Sequence, residues 1–414
     1  MKKLISAVMV IVLLASMSAT VFATNATSIT FWDEEQWTRV GGRPDNVKEI
    51  IPKDATVTWS SSNPKVATVD SNGRATAVGV GTTTITAKSG SLKASYKLEV
   101  RPEAIVPPTD PKVLEAAKNP GLGVRGLHKQ GLTGKGVNIA YVGSGILDSD
   151  VSKFTHSEFS GKITGYKDLG WNSRERLMGR GNSESSYKMT FNNVYKAISA
   201  VVGKTVGTAP DANIYMVGVY GLPATTAGIN HIVERNKSLS KADQVRIIVM
   251  ETYGGSFTDD DVLKAYYAAV NNAEKSGILV LQRDYIFGYD KYNPNQIYVA
   301  GLGAYYNTNS PDDVSKATTN IAEQYDFQDT KNRSIFAPNA RRTVAVNDNS
   351  YEYFSSDRGN FTQNAYLAGV VAMGLQANPN LTVPQIKKAL MDTKDKNNHM
   401  VNPPAFIEAV KKAK

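Results

Sequence analysis

From residue 27 to about 101, apolar and polar positions alternate with a period of two. In TVTWSSSNPKVATVDSNGRATAVGVGTTTITAKSG, residues 56–90, Val, Ile and Trp interleave with Thr, Ser and charged residues, as in strands that bury one face. Asn63-Pro64 and Ser71-Asn72-Gly73 punctuate the run with turn residues, so short, closely spaced strands predict a small all-β sandwich. Beyond Leu127 the period changes. VNIAYVG, ANIYMVGVYG, RIIVMETYGG, GILVLQ and QIYVAGLGA are short, nearly continuous apolar runs, fit for strands buried on both faces. Stretches such as DDVLKAYYAAVNNAEKSG lie between them, with acids at the start and Gly277 at the end, as helices favour. Strand alternating with helix predicts an α/β domain with a parallel sheet flanked by helices.

The remaining segments set the boundaries. MKKLISAVMVIVLLASMSATVFA has a basic start, an apolar run and a small-residue end, and reads as a secretory signal over 1–23; a membrane anchor is the competing reading. RPEAIVPPTDPK, 101–112, holds four prolines, which fix extended backbone and remove amide donors, so a stiff linker is expected over 102–124. The predicted organisation is signal 1–23, sandwich 27–101, linker 102–124 and α/β domain 125–414. No later apolar run reaches the roughly 20 residues that span a bilayer. A secreted or extracellular chain, with no membrane span after signal removal, is expected.

Composition narrows the chemistry. The chain has no cysteine, which excludes disulfide staples and thiolate nucleophiles or ligands. Lys and Arg number 47 against 38 acids, a formal charge of +9 that loss of Lys2 and Lys3 would lower by two. Such a balance attracts anionic cell-wall polymers at long range, although it also suits a merely soluble basic surface. Arginines are not clustered among aromatics, so no nucleic-acid partner is expected. The loops FTDDD and SPDD carry acids, but no ligand set is specific enough to name. No cofactor is expected, and structural calcium stays open.

Two resemblances add to this reading. Trp59, Ser-Ser-Asn-Pro, Val-Ala-Thr-Val-Asp, Asn-Gly and Gly-Thr-Thr-Thr-Ile-Thr-Ala, from Trp59 to Ala87, resemble the bacterial Ig-like group 2 family. That implies an extracellular spacer or adhesion module. From about 125 to 411 the chain resembles the subtilisin-like serine proteases: GLTGKGVNIAYVGSGI, HSEF at 156–159, GTAPDANIYMVGV at 207–219, TYGGS at 252–256, SGILVLQ at 276–282, and AYLAGVVAMGLQANPNLTVPQIKKALMDT at 365–393 follow in the family's order. The resemblance implies a subtilisin-like parallel sheet flanked by helices.

The same resemblance implies where catalytic groups belong: an Asp orients a His, the His takes the proton of a Ser, and an Asn stabilises the oxyanion. The Asp position falls on Gly143, with Asp148 and Asp150 past the strand. The His position falls on Thr190 and its companion on Asn193, in a register that can slip by a residue or two. No His lies between His156 and His231, so the outcome does not depend on that register. His156 matches a non-catalytic loop His; His128, His231 and His399 are expected on surfaces or loops. The Ser position falls on Phe361, with Thr362 and, upstream, Ser355 and Ser356 as the nearest hydroxyls, which need an adjacent base to act. The oxyanion Asn position falls on Ile286, near Asp284. Glu184 and Glu251 read as surface or capping acids. Loss of one triad member costs about 10⁴ to 10⁶ in turnover, so no catalytic residues are expected and the domain reads as an inactive member of the family.

What remains is a scaffold. Thr252, Tyr253, Gly254 and Gly255 match the edge that pairs with substrate peptide, and main-chain pairing needs no triad. A peptide, a protein partner or an active subtilase is therefore an expected ligand. A cell-wall adhesion or structural role and an active endopeptidase with displaced residues are the alternatives. Thr382 to Gln385 spell a capping box.

Overall fold

The computed structural model describes residues 24–101, 109–143, 155–169, 184–219, 221–250, 260–283, 296–300, 304–305, 307, 309–319, 333–339, 341–346, 349–354 and 362–413. The chain divides into two compact units, Met1–Ala104 and Ile105–Lys414.

The small unit holds eight strands: β1 Ser28–Phe31, β2 Glu35–Arg39, β3 Val47–Ile51, β4 Thr58–Ser61, β5 Ala67–Val69, β6 Ala75–Ala77, β7 Gly81–Ser89 and β8 Leu92–Arg101. A four-stranded sheet runs in the order β2-β8-β7-β4, with β1 paired to β3 and β5 to β6. The period-two pattern is realised literally: Thr83, Ile85, Ala87 and Ser89 of β7 point inward and their neighbours outward. Ile85 joins Val66, Ala67, Tyr96, Leu98 and Val100 in the core. The Ser-Ser-Asn-Pro turn is tied to this sheet by the buried Thr83 hydroxyl, 2.8 Å from Ser61 Oγ, which also accepts from Asn63 N at 2.9 Å. Gly73 sits at φ +84 under Trp59; a Cβ there would fall 2.4 Å from the indole.

In the large unit seven parallel strands form one sheet: β9 Asn138–Gly143, β10 Ile163–Asp168, β11 Asn213–Gly218, β12 Val245–Met250, β13 Leu279–Arg283, β14 Tyr298–Ala300 and β15 Ser334–Phe336. Their order is β10-β11-β9-β12-β13-β14-β15. Eight helices are described: α1 Pro111–Ala116, α2 Val124–Lys129, α3 Glu184–Val202, α4 Leu222–Lys237, α5 Asp260–Lys275, α6 Thr362–Ala377, α7 Val383–Thr393 and α8 Pro403–Lys412. Alternate strand residues face opposite helical layers. Ile139 and Tyr141 of β9 pack with residues of α3, α6, α7 and α8, whereas Ala140 and Val142 pack with α4 and α5. Both faces are thereby covered, which is why these strands read as unbroken apolar runs. An antiparallel hairpin, β16 Arg342–Val346 and β17 Ser350–Phe354, completes the unit.

Helix α6 is buried from Thr362 to Leu375, as a helix apolar around its circumference must be. Gly369 lets it approach Thr208, since a Cβ there would meet Thr208 Oγ1 and lie 2.7 Å from its Cβ. The capping box at α7 forms as read: Thr382 N donates to Gln385 Oε1 at 2.8 Å, and Gln385 N donates to Thr382 Oγ1 at 3.4 Å.

Within the linker expected over 102–124, residues 111–116 are helical. Asp110 caps α1 by accepting from Lys112 N at 2.8 Å, Pro111 takes the first helical position, and Leu122 and Val124 are fully buried in the core. Asp-Pro is a helix-start signal as well as a linker feature.

Candidate functional site

The topology itself locates a site. The chain enters the sheet at β9, lays β10 and β11 to one side, then crosses to β12 on the other, so the order reverses between β9 and β12. In open parallel sheets, ligands lie outside the carboxyl ends of the strands at such a reversal. Gly143 closes β9 and Met250 closes β12. Gly143 is buried, lies opposite Gly218 of β11, and its carbonyl accepts from Val219 N at 3.0 Å. Gly143, which carries no side chain, thus lies at the reversal.

Helix α6 brings its first turn to the same place. Asn364 Nδ2 donates to Met250 O at 2.9 Å, and Thr362 Oγ1 donates to Asn339 O at 2.7 Å. That hydroxyl is buried and bonded to a carbonyl, which cannot take its proton. Gln282, at the end of β13, accepts from the wholly buried Tyr266 hydroxyl at 2.8 Å. Burial holds the Tyr266 phenol well above its ordinary pKa, with Tyr267 adding to the effect, so it stays a neutral donor.

Among the described residues, Asn339 Nδ2, Gln363 Oε1, Asn364 Oδ1 and Gln282 Nε2 are buried and find no partner, on residues no more than 2% exposed. Each such atom costs about 1–3 kcal/mol relative to a paired one, so their gathering at one end of the sheet marks polarity that packing does not require. The reading from sequence named Thr362 but missed Asn339, Gln282, Gln363 and Asn364. The signal was available in amides that interrupt apolar runs: Gln282 ends GILVLQ, and Gln363-Asn364 precede AYLAGVVAMG.

Of the positions singled out earlier, Thr190 is in α3 and Asn193 is half-buried in the same helix. Asp148, Asp150, Glu251, Thr252, Tyr253, Gly254, Gly255, Asp284, Ile286, Ser355, Ser356 and Phe361 lie outside the described residues. Glu184 is the first residue of α3. The described acids of the two loops have structural partners: Asp260 and Asp261 reach Lys264 at 3.1 and 3.2 Å, Asp312 accepts from Gly123 N at 3.1 Å, and Asp313 caps the short helix Val314–Lys316. Among the described residues, no group of three or more His, Asp or Glu converges as a metal site.

The imidazoles of His128, His156 and His231 are engaged elsewhere. His128 Nε2 lies 2.9 Å from Thr208 O, and burial lowers its pKa against the opposing pull of that carbonyl. His231 Nε2 lies 3.0 Å from the Tyr215 hydroxyl, beside Arg235 stacked on the Tyr215 ring. His399 occupies a left-handed turn, φ +57, and its carbonyl accepts from Phe336 N. His156 is buried, accepts from Glu158 N at Nδ1 and therefore donates from Nε2 to Ser350 O at 2.9 Å. Glu158 beside it accepts from Tyr351 Oη at 2.6 Å, Thr205 N at 2.7 Å and Val206 N at 3.3 Å. Burial alone would raise its pKa, but these bonds together hold it below the ordinary value. His156 and Glu158 thus pin the loop before β10 to the hairpin and the end of α3.

Comparison with known proteins follows the two units. Residues 25–100 match the family model of the bacterial Ig-like domain (group 2). The small unit is an Ig-like domain. Among solved structures, the chain is similar to "PatG macrocyclase in complex with peptide" at 13% identity and TM-score 0.48, over 70% of this chain and 95% of that one. It is similar to the prenylagaramide maturation protease PagA at 14% and 0.47, over 70% and 98%. It is also similar to a cold adapted subtilisin-like serine proteinase at 18% and 0.42, over 64% and 85%. No helix among the described residues is long and apolar enough to cross a membrane.

Proposed function

We propose that the protein is a secreted pseudoprotease: a subtilisin-like domain without the Asp/His/Ser triad, carried behind an Ig-like unit and binding a peptide, a protein partner or an active subtilase at the cell envelope. The observation that carries this reading is Gly143 at the strand-order reversal, where the ordered segments of the sequence call for an orienting acid. It is supported by His128, His156 and His231, each bonded to a carbonyl or phenol oxygen, and by the Thr362 hydroxyl, bonded to a carbonyl oxygen. Main-chain pairing along Thr252 to Gly255 is the binding mode, and Gly254→Trp is expected to abolish it. Treatment of the purified full chain with a fluorophosphonate probe tests the loss of chemistry: no labelled serine is expected, and a labelled one would overturn the reading and show where the nucleophile lies.

A second reading, adhesion to the cell wall, draws on the Ig-like unit. Trp32 is 64% exposed although its N donates to Asn46 O at 3.0 Å and the fully buried Asn46 side chain clamps the backbone of the next residue, accepting from Asp33 N and donating to Asp33 O. Lys48 Nζ sits 5.5 Å from its ring. Retention of the full chain on purified cell wall, lost in Trp32→Ala and weakened by salt, would favour this second reading.

A further inference from the structure

Arg341 immediately precedes β16. It follows Asn339 by two residues and adopts the left-handed backbone, φ +61, which costs a side-chain-bearing residue about 1 kcal/mol. Its guanidinium lies 3.6 Å from the centre of the Tyr305 ring. Among the described residues no carboxylate reaches ion-pair distance of it, and its Nε is buried without an acceptor. The next residue is cationic too: Arg342 is fully buried and donates to Val206 O.

The surroundings are rich in donors. Asn339 N donates to Ala304 O at 2.9 Å, beside the tyrosine that carries Arg341. The Asn339 side-chain oxygen is 3.3 Å from the Thr362 hydroxyl, so its amide group stands against the first turn of the 16-residue helix α6, with Nδ2 unpaired and the residue fully buried. A helix N-terminus presents free amides and positive potential. The unpaired acceptors of the corner belong to Gln363 and Asn364, and Asn364 is turned toward β12 by its bond to Met250 O. The unpartnered atoms of Asn339 and Arg341, Nδ2 and Nε, are both donors.

We propose that Arg341, together with Asn339 two residues before it at the amino end of α6, receives a carboxylate of the bound peptide. Arginine's planar fork suits a carboxylate bidentately, and stacking on Tyr305 holds the fork in place before the ligand arrives. Arg341, half-buried, is the member a ligand meets first. This inference rests on the peptide-binding reading and adds the chemistry by which a peptide is chosen.

The test uses the full chain and a random hexapeptide library in three forms: free carboxyl-terminated, carboxamide-terminated without acids, and carboxamide-terminated with one internal Glu. Binding is read by fluorescence anisotropy for the native protein, Arg341→Gln and Arg341→Asn, the last because Asn tolerates left-handed backbone. The native protein is expected to prefer a carboxylate-bearing form over the acid-free amide by roughly tenfold or more, and both variants to erase that preference. Preference for the free terminus identifies a C-terminal carboxylate; preference for the Glu form identifies a side chain. Equal binding of all three forms, or a preference that survives both variants, overturns the carboxylate site while leaving peptide binding intact. Binding of none of the forms overturns both.

Discussion

Glu158 and Asn339 are both buried polar residues of the large unit, and the fold treats them differently. Glu158 accepts three hydrogen bonds that join the loop before β10 to the end of α3 and to β17. Asn339 leaves its amide donor unpaired at the amino end of α6, in company with unpaired atoms of Gln282, Gln363 and Asn364. The polar atoms of Glu158 are completed by hydrogen bonds, whereas these four residues keep polar atoms without a partner among the described residues. That contrast separates residues whose removal should loosen the protein from residues whose removal should not.

The largest effect is expected at Glu158. Glu158→Ala strands two backbone amides and the Tyr351 hydroxyl, a loss of about 3 kcal/mol in unfolding of the large unit by denaturant. Glu158 also gives the comparison a pH signature. Its folded pKa lies below its ordinary value, so its contribution is present above the unfolded pKa and is lost as pH falls through the folded one. Acid destabilisation in the native protein should exceed that in Glu158→Gln, as thermal midpoints between pH 6 and 3 would register.

A somewhat smaller loss, about 2 kcal/mol, is expected for Gly369→Ala, because the new methyl collides with Thr208 while that hydroxyl bridges Ala200 O and Tyr366 O. In the Ig-like unit, Gly73→Ala meets both the Trp59 ring and a left-handed backbone, a cost of about 1–2 kcal/mol confined to that unit. Two-step unfolding with only the Ig-like transition moved would confirm the confinement. The smallest effect belongs to the corner. Gln363→Met deletes an unpaired buried oxygen at similar volume, and stability should hold within about 0.5 kcal/mol or rise. A loss as large as that of Glu158→Ala would dissolve the contrast.

Much of this architecture is legible in the chain, for physical reasons that differ by region. The period-two run predicts the buried face of β7, and the apolar runs predict β9, β11, β12, β13 and β14, because burial on one or both faces dictates those patterns. The box at α7 is legible because four consecutive residues build it. Asp110-Pro111 is ambiguous in sequence because Asp and Pro serve linkers and helix starts alike. Gly143 is legible as an absence of side chain, but its place at the reversal depends on strand order, which no local pattern encodes. Arg341 and Asn339 are silent in sequence: an Arg-Arg pair after Pro-Asn looks like surface until Tyr305, distant along the chain, supplies the stacking ring.

The most direct test is to incubate the purified full chain with a peptide library and follow, by mass spectrometry, both the peptides retained and any new termini. The expected result is retention of intact peptides with no new termini at any time or protein concentration. New termini that accumulate in proportion to protein and time, and that vanish after fluorophosphonate treatment, would make this an active serine peptidase and contradict the reading of Gly143.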